Sequence, residues 1–465
     1  MDVDQATRAI ETKLDDSGWF DDVTHDELRD INKIIQDLSP ADARAVFDKL
    51  KADGKLDKWV DEMNSGGWFG SGGLSASEKG ELFNALANRL SGSQLAEFSS
   101  HLDHDGIVAL GQSVASHGRS DIAVEYVQAM ASRTTEGDHT RFDNGLFHSS
   151  TTTEDPDART VGEVLATLRG NDFNQAIKSL DANQLAAVMA TASGSKLNTT
   201  SSMGGSSTTV DYDPKLLTQI IDNAANSIDP AVKATVFQAA SAQLKEIRGA
   251  GNVMVPYIGK GDDTRTVTDA MTRLLRSDTT GIISQLEDHL DRDGVILIPY
   301  TTEMVAQGRS KELGEIITDL QLGNDRKGDA VSRFEQGQAG TTGQPYYANA
   351  QSLGYFVGAV QVGLAENSAS AKDTGDMLKT IFGVVTGAGG AANPGAGVAG
   401  AVLNGLTTAT VDAVVKSVEN GNKDIRAALR ELAFPHASDG SLYRGPAEGA
   451  YDEAVGRVID ANGNN

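Results

Sequence analysis

Internal repetition constrains this chain more than any other feature, because Gly18-Trp19-Phe20 is met again at Gly67-Trp68-Phe69 and the likeness continues well beyond those residues. After the first triplet comes VTHDELRDINKIIQDLSPADARAVFDKLKADG, and after the second LSASEKGELFNALANRLSGSQLAEFSSHLDHDG. A further copy, without the Gly-Trp-Phe start, begins at Met271 as MTRLLRSDTTGIISQLEDHLDRDG. The copies share a Leu-x-x-Asp-Gly ending, at Leu50 to Gly54, Leu102 to Gly106 and Leu290 to Gly294. A fixed internal unit that recurs in this way buries its apolar face against its neighbours.

Each copy reads as helix. Thr24-x-x-Glu27 and Ser75-x-x-Glu78 are capping boxes, in which the hydroxyl accepts from an early backbone N–H and the Glu reaches back. Ser39-Pro40 adds a cap followed by proline at the first helical position, where its missing donor costs nothing. Leu82, Phe83, Leu86 and Leu90 recur at three- and four-residue spacing, the pattern of one packed face. Gly54, Gly106 and Gly294 are expected to close helices in the left-handed conformation. Gly118-Arg119-Ser120 and Gly308-Arg309-Ser310 extend the likeness of the later copies. The Ser/Thr/Gly-rich stretches 149–153 and 194–209 read as surface loops between helices spanning 160–193 and 213–246.

Composition agrees. Aromatics are only 5% of the residues, which disfavours a large sheet of aromatic and β-branched strands. The expected class is therefore all-α: diverged helix-pair repeats followed by a C-terminal helical domain with a Gly/Ala-rich apolar hairpin. With 465 residues, 39% of them apolar, the chain has room for several cores. The expected regions are 1–135, 158–336 and 345–465. A formal charge of −25, with 65 acidic against 40 basic residues, disfavours nucleic acid as a partner. No cysteine is present, so disulfides, thiolate zinc sites and cysteine nucleophiles are excluded. The opening MDVDQATRAIETKL reads as a helix rather than a Sec-type signal, so export is expected to need a route without a cleaved signal peptide.

Three groups of residues are candidate sites. His101, Asp103 and Asp105 crowd imidazole and carboxylates around Gly106, where a calcium loop would turn, yet counting from His101 puts Gln112 where a bidentate Glu belongs. The repeats favour a structural helix stop there, and no metal or cofactor is expected. Trp19, Phe20, Trp68 and Phe69 read as staples at module entrances, with partner anchoring as the functional alternative. The uncharged run from Thr380 to Val411 contains Phe382, Gly383, Gly387, Pro394, Gly397 and Gly400. It reads as a buried helical hairpin or as a pair of arms that insert conditionally into a bilayer. Residues 381–393 fall short of the roughly 20 residues that cross a ~30 Å hydrocarbon layer as a helix. The tail containing His436, Asp439, Tyr443, Arg444 and Glu448 could hold a site of another kind. No Gly-x-Ser-x-Gly elbow, His-Glu-x-x-His helix or complete phosphate loop names a reaction.

The phrases HLDHDGIVALGQSVASHGRSDIAVEYVQAMA, VGEVLATLRGNDFNQAIKSLDANQLAAVMATA and LGYFVGAVQVGLAEN resemble helical regions that precede C-terminal toxin domains in bacterial polymorphic toxins and secreted effectors. The resemblance spans residues 18–366. It implies delivery by the helical region and activity towards the C-terminus, with an immunity protein, a secretion-machine component or a membrane as partner. No recognisable nuclease, deaminase or protease domain follows. The function expected from it is a secreted effector whose C-terminal domain perturbs membranes. The alternatives are a non-catalytic helical adaptor or particle component, and a peptidoglycan hydrolase with an unrecognised carboxylate site.

Overall fold

The computed structural model describes residues 1–15, 23–64, 73–135, 140–144, 148–153, 155–202, 205–251, 256–257, 259–286, 296–326, 329–339, 345–387, 406–436 and 441–463. Trp19, Phe20, Trp68, Phe69, Leu290 to Gly294, Pro394, Gly397 and Gly400 lie outside the described residues.

The fold is all-α, as expected. Helices α1 (Val3–Asp15), α2 (His25–Asp37), α3 (Pro40–Ala52), α4 (Leu56–Asn64), α5 (Ala76–Arg89), α6 (Gly92–Ser99), α7 (His104–His117) and α8 (Ser120–Met130) open the chain. Both expected capping boxes form, with Thr24 bonding Glu27 and Ser75 bonding Glu78 in each direction. Ser39 caps α3 ahead of Pro40. The repeat is therefore visible as α2-α3-α4 laid beside α5-α6-α7. Phe98 of α6 joins the two modules, its ring lying 5.4 Å from Trp59, 6.3 Å from Phe47 and 6.4 Å from Phe83. Burying each such side chain contributes about 1.5–3 kcal/mol.

The shared Leu-x-x-Asp-Gly ending has two different structures. In the first copy Gly54 takes a φ of 65°, Lys55 N–H bonds Leu50 C=O at 2.8 Å and Gly54 N–H bonds Lys51 C=O at 3.1 Å. Those paired bonds close α3 as a Schellman motif. In the second copy the expected helix stop is overturned: Asp103 caps α7 by accepting from Gly106 N–H at 2.8 Å, and Gly106 lies in the first helical turn. The first copy has Lys51 where the second has Asp103, and an ammonium cannot accept from a helix N-terminus.

After a 3₁₀ turn η1 (Ala131–Thr135) come strands β1 (Thr140–Asn144) and β2 (His148–Thr153), then α9 (Pro156–Thr167), α10 (Gly170–Ser179) and α11 (Ala182–Ala192). Strands β3 (Lys196–Ser202) and β4 (Gly205–Asp211) lead to α12 (Lys215–Ala225) and α13 (Pro230–Gly249). The stretches read as loops are thus strands, forming an antiparallel sheet in the order β1-β2-β3-β4. Threonine supplies the reason, since its branched Cβ suits a pleat; Thr199 and Thr208 pair across β3 and β4 at 3.1 Å between hydroxyls. The single helices expected over 160–193 and 213–246 are likewise divided. Leu180-Asp181 separates α10 from α11, Asp181 capping through Asn183 and Gln184, and Asp229 caps α13 ahead of Pro230.

That division exposes a further repeat. FNQAIKSLDANQLAA at 173–187 matches FNALANRLSGSQLAE at 83–97, and the joints Leu180-Asp181 and Leu90-Ser91 share one geometry. The apolar residue is buried and extended, and the next caps the following helix; Leu38-Ser39 does the same. Across these two-residue joints the chain changes direction, and packing runs instead between helices two apart, α5 with α7, α6 with α8 and α8 with α10.

Two compact units emerge from the contacts, one comprising Met1–Ser227 with Gly251–Ile258, the other Ile228–Ala250 with Gly259–Asn465. In the first, α5, α7 and α9 pack in one row and α6, α8 and α10 in another. The stretch between 135 and 158 therefore carries β1 and β2 while the helices on either side remain packed together.

The second unit contains α13, α14 (Lys260–Ser277), α15 (Thr279–Leu286), α16 (Leu297–Ala306), α17 (Ser310–Leu322), α18 (Ala330–Phe334) and the short β5–β6 pair (Gln338–Ala339, Pro345–Tyr346). It continues with α19 (Ala348–Asn367), α20 (Ala371–Gly387), α21 (Thr408–Glu419), α22 (Ile425–Ala433) and α23 (Glu448–Gly463). Arg309 binds the Glu312 carboxylate in the first turn of α17 with two donors, at 2.8 and 2.6 Å, as Arg119 binds Asp121 in α8. Helix α19 is buried nearly all round, with Gly354 and Gly358 against Tyr451, Ala454 and Val458 of α23.

Candidate functional site

A cleft of about 980 Å³ lies in the first unit, walled by α7, α9 and α12 and closed by the turn between α11 and β3. Its walls are held by specific bonds. Asp155 caps α9 by accepting from Asp157 and Ala158 N–H, at 2.9 and 3.1 Å, with Pro156 at the first position. Arg133 of η1 then binds the nearly buried Asp157 carboxylate at 2.9 Å. Thr160 Oγ1 donates to Ile107 C=O at 3.1 Å and draws α9 onto α7. That approach needs Gly111, since a Cβ there would sit 2.4 Å from Thr160 Cγ2. On the other side the buried Asn223 amide donates to Leu165 and Ala166 C=O at 3.0 and 2.8 Å, satisfying carbonyls at the end of α9.

The half-buried stripe of α9 forms the floor. Arg159, Glu163 and Thr167 recur there at helical spacing. Glu163 Oε1 accepts from Arg159 Nε at 3.1 Å and from Gln112 Nε2 at 3.3 Å, while its buried Oε2 takes no hydrogen bond among the described residues. Arg169 donates to Ala166 and Leu168 C=O, both at 2.8 Å, and Lys196 and Lys215 add two exposed ammonium groups. The remaining lining is chiefly amide and hydroxyl, with no aromatic ring among the described lining residues. A shallower depression in the second unit contains Arg276 and Arg309, but Glu315 pairs with the first at 2.8 Å and Asp269 with the second at 2.7 Å.

The described residues among those singled out from sequence lie elsewhere. His101 Nδ1 is bonded to Asp57, Asp103 is occupied as a helix cap, and Asp105 lies 3.3 Å from His104. Among the described residues no group of three or more His, Cys, Asp or Glu side chains is arranged to hold a metal. Phe382 is fully buried in α20 with Leu378 and Ile381, Gly383 follows it, and Gly387 is the last residue of that helix. Lys379 and Asp412, which flank the uncharged run, pair at 3.0 Å and tie α20 to α21. No described helix is long and apolar enough to cross a membrane.

In the tail, Tyr443 donates to Glu335 Oε1 at 2.7 Å and packs with Phe334 and Phe434. Burial and the adjacent Glu335 carboxylate push its hydroxyl up to about 12. Burial pushes His436 down, and Arg444 pairs with Glu448 at 3.0 Å; Asp439 is outside the described residues. These contacts build the core of the second unit around Phe334 and Tyr451.

The cleft residues Arg159, Glu163, Arg169, Lys196 and Lys215 were not recognisable as a set. The i, i+4 stripe of α9 is visible in sequence, but its union with α12 and β3 depends on the turn at Gly194. No family model, no curated protein and no solved structure matches this chain.

Proposed function

We propose that the chain is a non-catalytic helical adaptor whose first unit holds a polypeptide segment of a partner in the cleft of α7, α9 and α12. The single observation that carries this reading is the rigidly walled polar trough. Its size falls near the roughly 300–1,000 Å³ range of binding clefts, and its amides and hydroxyls are suited to main-chain N–H and C=O groups. An amphipathic helix would need an apolar groove, and a sugar or base would gain little without an aromatic platform. In the bacterial setting implied by the resemblance, the partner is a secretion-machine component or immunity protein.

Panning a random peptide library on the immobilised full chain tests the reading. Enriched peptides should lose at least tenfold in affinity for Ala166→Trp, which fills the trough. No enrichment, or enrichment indifferent to that substitution, removes the proposal.

A second reading, an effector that perturbs membranes, draws on the uncharged run from Thr380 to Val411. Directing the full chain to the bacterial cytoplasm or periplasm and following membrane potential tests it; unchanged potential in both compartments excludes it.

A further inference from the structure

We infer that the segment held in the cleft is acidic and extended, about four residues long, with its carboxylates set against Arg169, Lys196 and Lys215. This rests on the reading of the cleft as a peptide trough and adds its specificity.

Charge provides the first argument. In a chain with 65 acidic and 40 basic residues carboxylates are in surplus, and other cations that line depressions, Arg159, Arg276 and Arg309, are paired with them. Arg169, Lys196 and Lys215, by contrast, converge on one cleft, and none forms an ion pair among the described residues. The lining as a whole sets four cations, Arg159, Arg169, Lys196 and Lys215, against three carboxylates, Glu163, Asp213 and Asp222, a positive balance in an otherwise acidic chain. The local field therefore favours an anion although the molecule as a whole repels one.

Dimensions provide the second. From Arg159 to Thr167 the floor runs about 12 Å at ~1.5 Å per helical residue, the span of about four extended residues at ~3.4 Å each. Rows of Gln112 and Ser116 on one wall and of Gln219 and Asn226 on the other face that span, in reach of main-chain groups on both edges of an extended segment. A compact anion would use the cations and leave those rows idle.

Fluorescence anisotropy on the full chain separates these cases, using labelled Gly/Ser-based hexapeptides whose central four residues are acidic, neutral or basic. Acidic peptides should bind at least tenfold more tightly than neutral ones, lose affinity as salt rises, and lose at least tenfold with Lys196→Glu plus Lys215→Glu. The milder Lys196→Gln plus Lys215→Gln should give a smaller loss in the same direction, with circular dichroism unchanged for both. Citrate at matched carboxylate concentration should not displace them. Binding of all peptides regardless of charge, and of the lysine substitutions, overturns the acidic specificity while leaving the peptide trough intact. Equal binding of citrate, with displacement, replaces the peptide by a small anion. If no peptide of any charge binds, both the specificity and the trough are lost.

Discussion

His25 Nε2 of α2 lies 3.0 Å from Glu78 Oε2 of α5, so the carboxylate that completes a capping box also fastens one repeat to the next. Arg29 reaches the other oxygen at 3.1 Å. The Ser75 hydroxyl, followed by His25 and the Ser75 N–H, holds this carboxyl down to about 2 from the usual 4.5. A carboxyl whose pKa is depressed on folding stabilises fully above its unfolded value, and that contribution fades as pH falls through the folded one. Glu78→Gln should therefore lower the urea midpoint at pH 5. The gap to the native chain should close between about pH 4.5 and 2; a gap independent of pH would refute the assignment.

Gly54 is required by its φ of 65°, not by crowding, because a Cβ would meet no atom within 4 Å. Gly54→Ala should cost about 1–2 kcal/mol in equilibrium unfolding, and Gly54→Asn less, since Asn tolerates the left-handed region better. Equal costs for the two would show that something other than the backbone angle matters there.

Ser99 Oγ and Tyr126 OH meet at 2.9 Å, both side chains fully buried, and burial pushes the Tyr126 hydroxyl upward. Ser99→Ala or Tyr126→Phe alone strands a buried polar partner, costing about 1–3 kcal/mol. The double substitution should cost less than the sum, with a coupling of about 1 kcal/mol in a double-mutant cycle. Strict additivity would mean the hydroxyls do not depend on each other.

Gly111→Ala should separate α7 from α9 and cost about 1–3 kcal/mol, because Thr160 cannot yield without losing its bond to Ile107. Thr160→Ser keeps a hydroxyl and removes the methyl, and should recover part of the loss. Thermal unfolding reads both; Gly111→Ala at native stability would contradict the close approach.

Helix type and caps were legible because the signals are local. Thr24, Ser39 and Ser75 each sit within three residues of the N–H they satisfy, so adjacency in sequence is adjacency in space. Gly106 misled because one substitution, lysine to aspartate at the position of Asp103, changes a helix exit into a helix entrance. The Ser/Thr strands were hidden since β2 pairs with β3 across three intervening helices, a long-range fact absent from any window. The cleft was hidden for the same reason: Arg159, Lys196 and Lys215 share a surface only after α12 has been pinned to α9 by Asn223.

The burial of α19 also bears on the order in which this chain can mature. Its partner α23 begins at Glu448, whereas α19 itself begins at Ala348. At ~5–20 residues per second, a ribosome takes roughly 5–20 s to travel from one to the other. Throughout that interval an apolar helix waits for its cover, so the second unit is a natural client for chaperones before it closes.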